Sequence, residues 1–86
     1  MPVIYCKINM FDAEQKIYIV DDGQPQEVTS VDLKHLDGTI AALCYERNIY
    51  NVHLFGLRDF IIDVKKAINM TENLMFSQNR IEVEVN

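Results

Sequence analysis

Through the first thirty residues apolar and polar side chains change places with a period of two. Over residues 2–11, Ile4, Cys6, Ile8 and Met10 fall on one side, and Val3, Tyr5, Lys7, Asn9 and Phe11 on the other. Such an alternation predicts a strand, because successive side chains of an extended chain leave opposite faces. Asp12-Ala13-Glu14 predicts a turn. Residues 15–20 alternate again, with Ile17 and Ile19 opposed to Lys16, Tyr18 and Val20. Asp21-Asp22-Gly23-Gln24-Pro25 is the strongest turn signal in the chain, since Asp and Gly accept bent backbone and Pro cannot donate to a ladder. Glu27 to Val31 is rich in β-branched residues and predicts a third short strand.

The period then changes. Leu33, Leu36, Ile40, Leu43 and Cys44 recur at three- and four-residue steps, the stripe of an amphipathic helix. Asp32 can cap its first turn and Asn48 can end it. Gly38 either costs about 1 kcal/mol inside that helix or marks a break, with Asp37 or Thr39 opening the helix proper. Asn51 to Phe55 predicts a strand closed by Gly56. Leu57, Phe60, Ile61, Val64, Ala67 and Ile68 form a second stripe, with Lys65 and Lys66 in its last turn, where they suit the helix dipole. Leu74-Met75-Phe76 reads as a short strand or docking segment. Ile81, Val83 and Val85 alternate with Arg80, Glu82 and Glu84 as a last strand.

The predicted order is βββαβαβ, in one domain spanning 1–86. Two hairpin-like links place the first three strands side by side, and strand–helix–strand crossovers join parallel neighbours, nearly always right-handed. The fold class is therefore α/β in the broad, α+β sense: a mixed five-stranded sheet in the order 3-2-1-4-5. If both crossovers run the same way across the sheet, both helices cover one face. That face should carry Ile4, Cys6, Ile8, Met10, Ile17, Ile19, Val52, Leu54, Ile81 and Val83. The opposite face, with Tyr5, Lys7, Lys16, Tyr18, His53 and Phe55 among its residues, is left open.

This element order resembles the minimal core of the ribonuclease H-like superfamily, and the related domain of a class of small-subunit ribosomal proteins. The resemblance spans nearly the whole chain and is one of topology, with no sequence motif attached. Nucleases of that superfamily hold two metal ions with carboxylates from the first strand, the first helix and the end of the fourth strand. Several oxygen ligands must lie close together there, because hard divalent ions demand them. Here the first strand carries no Asp or Glu, and the fourth ends in Gly56 without one. Only Glu46, Asp59 and Asp63 lie near the relevant elements, so nuclease chemistry is not expected. The ribosomal relatives bind RNA through basic extensions, which this sequence lacks.

Composition narrows the field further. Of 86 residues 49% are hydrophobic and 24% charged, with a formal net charge of −5, which suits a folded domain and disfavours bare electrostatic binding to nucleic acid. A chain this short buries a thin core, roughly 60–65% of its unfolded surface, so self-association is favoured from the outset. The two cysteines, Cys6 and Cys44, sit among apolar neighbours and read as reduced core thiols. No basic start leads into a long apolar run, so no leader is expected. The apolar runs fall short of the roughly 18 residues of a membrane helix.

The chemistry-bearing residues are few. His53 lies between Val52 and Leu54 with no evident partner in the sequence, and a general base needs a positioned one. His35 pairs most simply with Asp32 on a helix surface. His35, His53 and Cys44 lack any metal-ligand spacing, and no cofactor motif is present. The expectation is a small, non-enzymatic interaction protein of the cytoplasm, in the manner of a bacterial or bacteriophage accessory factor. It would bind a second copy (a homodimer) or another protein through Tyr5, Tyr18 and Phe55. The alternatives are a nucleic-acid or ribonucleoprotein module using Lys7, Lys16 and aromatic stacking, or an enzyme at the rim of strands 1 and 4 using His53 with Asp12 or Asp59.

Overall fold

A computed structural model describes residues 1–86. The elements are β1 (Val3–Lys7), β2 (Gln15–Asp21), β3 (Gln24–Val31), a 3-10 turn (Leu33–His35), α1 (Leu36–Arg47), β4 (Asn51–Phe55), α2 (Arg58–Phe76) and β5 (Glu82–Val85). The strands form one sheet in the order β3-β2-β1-β4-β5. β1–β2 and β2–β3 are antiparallel, and β1–β4 and β4–β5 are parallel. Two hairpins followed by two helical crossovers produce this pattern, as the sequence predicts.

Local chemistry fixes each turn. Asp22 and Gly23 both adopt positive φ, 54° and 75°, the two-residue geometry that matches the twist of the flanking strands. Pro25 falls inside β3 rather than in the turn, which an edge strand tolerates. A bulge pairs Ile17 with Thr29 and Tyr18 with Glu27, leaving Val28 as the extra residue, partly buried against the core.

β1 stops at Lys7, four residues short of the predicted strand. Gln15 is the reason. Its buried side chain accepts from the Asn9 N–H at 2.8 Å and donates to the Asn9 carbonyl at 2.8 Å. A side chain thus supplies the pairing that a continued ladder would have made. The following loop turns Met10 and Phe11 outward, 49% and 91% exposed, so neither lies on the face the alternation assigns it.

Both helices pack beside one another on a single face of the sheet. The core between the layers contains Ile4, Cys6, Ile17, Val52, Leu54 and Val83 from the strands, with Leu36, Ile40, Cys44, Ile61 and Ile68 from the helices. The Asp32 carboxylate accepts from the His35 N–H at 3.0 Å, so the cap is real, but the first turn it closes is 3-10 and α1 proper begins at Leu36. Asn48 ends α1 in the left-handed conformation, φ 55°.

α2 is longer than predicted. It runs through Leu74-Met75-Phe76, so that segment is neither a strand nor a separate docking piece, and Lys65 and Lys66 lie in mid-helix. No helix is long and apolar enough to cross a membrane.

Candidate functional site

Strand geometry places every second residue of β1, β2, β4 and β5 on the face away from the helices. Across that face the register lines up one row, Glu27–Tyr18–Tyr5–His53–Glu84, from β3 to β5. Three rings occupy its middle and a carboxylate stands at each end. Tyr5 meets Tyr18 edge-on, with centroids 6.2 Å apart, and Phe55 at 4.8 Å with the rings tilted by 34°. Tyr5, Tyr18, His53 and Phe55 are half-buried although no element lies over them, because their neighbours in the row shield their flanks. Lys7 and Lys16 are exposed one two-residue step from the row, towards the C-terminal end of β1. A shallow depression of about 530 Å³ opens over Tyr5, Lys7, Tyr18, Val20, Gly23 and Pro25.

All six residues assigned to binding from the sequence therefore share one surface. What the sequence does not reveal is the partner of His53. Its Nε2 lies 3.2 Å from a Glu84 carboxylate oxygen, an arrangement that depends on the β4–β5 register. Neither Asp12 nor Asp59 comes within ion-pair distance of His53, so the catalytic grouping envisaged at the rim of strands 1 and 4 is not formed. The rim itself is apolar, a cleft of about 190 Å³ lined by Ile8, Asn9, Met10, Phe11, Leu57 and Phe60. No three His, Cys, Asp or Glu side chains converge as a metal site requires.

A second cluster lies at the opposite end of the molecule. Glu72 is 1% exposed. Its carboxylate accepts from the Tyr45 hydroxyl, from the Arg80 N–H at 2.7 Å and from the Ile81 N–H at 3.2 Å. Phe76 stacks on Tyr45 at 3.9 Å, and the Arg80 guanidinium sits 4.0 Å over the Tyr50 ring. Burial, then the hydrogen bond to Glu72, pushes the Tyr45 phenol up to about 12. No buried side-chain N or O atom here lacks a hydrogen-bond partner, and the cluster ties the α2–β5 connection to α1. Two signals could have revealed it. Glu72 continues the buried stripe of Ile61 and Ile68 at four further residues, and the segment has no Gly or Pro to stop the helix.

Both thiols are fully buried. Burial pushes Cys6 up to about 12, and burial followed by the nearby Glu72 charge pushes Cys44 to about 12, so neither is a ready nucleophile.

No protein-family profile matches the chain, and no curated protein matches it.

Proposed function

We propose that this chain is a non-enzymatic interaction protein that pairs with a second copy of itself through the uncovered sheet face. The observation that carries the reading is the aromatic trio Tyr18–Tyr5–Phe55, contiguous at the centre of the open face and bordered by charges of both signs. Large rings at the centre of a patch with a charged rim are the usual anatomy of a protein interface. A standard interface takes about 800 Å² per partner. That is roughly 15% of a surface of 5414 Å², which one broad side of a two-layer molecule provides.

Phosphate is the poorer partner for this face. Lys7 and Lys16 share it with Glu27, Glu82 and Glu84, so a polyanion meets at least as much repulsion as attraction. His53 is engaged by a carboxylate on an open surface rather than poised beside a nucleophile.

Sedimentation equilibrium tests the proposal. The wild-type chain is expected to dimerise in the micromolar range, and Tyr18→Ala combined with Phe55→Ala to weaken the dimer at least tenfold while helix content stays constant. A wild-type chain that stays monomeric up to about 1 mM, the weakest affinity worth calling specific, would overturn it.

A further inference from the structure

The open face also carries information about how two copies would meet. Adjacent strands lie about 4.8 Å apart, and same-face residues along a strand about 6.8 Å apart, so its side chains form a rectangular grid. Tyr5 occupies the centre. Lys7 stands one step along β1 from it, and Lys16 stands beside Lys7 on β2, one step past the Cys6–Ile17 pair. Glu84 stands two strands away in the Tyr5 row, and Glu82 one step back along β5. The positive groups are therefore displaced mainly along the strands and the negative groups mainly across them.

We infer that the two copies pack with their sheets near 90° to one another, about a two-fold axis lying in the face along the diagonal at about 45° to the strands, through Tyr5 and close to Phe55. This rests on the self-pairing reading above. Rotation about that diagonal exchanges the along-strand and across-strand directions. Lys7 then lands between the partner's His53 and the partner's Glu84, and Lys16 between the partner's Asn51 and the partner's Glu82, each about 3 Å in the plane from the carboxylate position and within reach of a lysine side chain. Because a two-fold interface is self-complementary, both pairs occur twice. Tyr5 lies on the axis and Phe55 close to it, so each meets its own copy, which builds an aromatic centre inside a ring of four ion pairs. Orthogonal contact is one of the two standard ways for sheets to pack face to face.

The other principal axes through Tyr5 fail on charge. An axis parallel to the strands sets Lys7 on the partner's Lys7 and Glu84 on the partner's Glu27. An axis perpendicular to the strands sets Glu27 and Glu84 each on its own copy. The opposite diagonal pairs Lys7 with the partner's Glu27 but brings Lys16 against its own copy. Like charges facing one another across an interface oppose association strongly, and of these four axes only the chosen diagonal avoids them.

Charge exchange provides the test. One variant carries Lys7→Glu and Lys16→Glu, the other Glu82→Lys and Glu84→Lys. All four side chains are exposed, so folding is expected to survive, and circular dichroism checks it. If either double variant fails to fold, Lys7→Glu and Glu84→Lys alone make the same comparison. Each variant by itself is expected to dimerise at least tenfold more weakly than wild type, and an equimolar mixture to form a heterodimer of near wild-type affinity. The changes take the net charge of −5 to −9 and to −1, so attraction between whole molecules cannot account for such a rescue. A mixture that fails to associate, while wild type does, overturns the orthogonal arrangement and leaves the self-pairing face standing. So does tighter self-pairing of the Glu82→Lys, Glu84→Lys variant. Packing about an axis parallel to the strands would give that result, by setting the lysine introduced in place of Glu84 against the partner's Glu27. A monomeric wild type removes both proposals together.

Discussion

Glu72 is the residue on which the C-terminal third of the chain turns. A carboxylate reaches 1% exposure only where its oxygens are fully engaged, and here two backbone N–H groups and a phenol engage them. The contact draws the start of β5 onto α2 and fixes where Ile81 enters the core. Glu72→Ala strands two buried donors and opens a cavity, so we expect a loss of about 3–5 kcal/mol, read as a lower urea midpoint. Glu72→Gln keeps the volume and one acceptor oxygen and should cost about 1–2 kcal/mol. Equal stability of both variants and wild type would show that the cluster holds nothing in place. Gln15 plays a similar part at the other end, holding the loop that exposes Phe11. Its position on the core side of the β2 alternation was visible in the sequence. Its two bonds to Asn9 were not, because they require the loop to fold back on itself.

Between elements, two glycines divide cleanly into one that is needed and one that is not. Gly56 joins β4 to α2 with φ 148°, and a Cβ there would stand 2.8 Å from the Ile8 carbonyl oxygen and 3.2 Å from Ile61. Gly38 lies in α1 at ordinary φ with open space around it. Gly56→Ala is therefore expected to destabilise by about 2–3 kcal/mol, and Gly38→Ala to stabilise by about 0.5–1 kcal/mol. Thermal melts of the two variants should move in opposite directions, and a stabilised Gly56→Ala would contradict the close approach of the Ile8 carbonyl. At this scale the turns were legible, since Asp22-Gly23, Asn48 and Gly56 all bend the chain where their backbone freedom suggests. The extent of α2 was only partly legible, from the Glu72 spacing and the lack of Gly or Pro. Its last turns carry little periodic signal, and what holds them is a Tyr45–Phe76 stack between residues 31 apart in the chain.

Taken as a whole, the molecule has one shielded core and one open face, and the two respond to different variables. The core responds to alkali. With folded values near 12 against an ordinary thiol value of 9.0, Cys6 and Cys44 bind protons more tightly in the folded than in the unfolded chain. Their contribution is fully present below pH 9 and is lost as the pH rises from there towards 12. For Cys6 the slope is about 1.4 kcal/mol per pH unit. Urea midpoints should fall steeply above pH 9, and a Cys6→Ala, Cys44→Ala variant, less stable at pH 8, should fall less steeply. Parallel declines would refute the assignment to the thiols. On the proposed self-pairing, the open face responds instead to concentration and to the pattern of its charges. The sequence by itself determined the order of elements, the strand order 3-2-1-4-5 and, Met10 apart, which residues face the helices, because side-chain periodicity and crossover handedness are local constraints that add up to one topology. Only the tertiary structure decided that His53 meets Glu84, that Glu72 is buried, and that Lys7 and Glu84 stand in perpendicular directions from Tyr5. Those facts depend on inter-strand register and on contacts between distant segments, which no pattern along a single strand encodes.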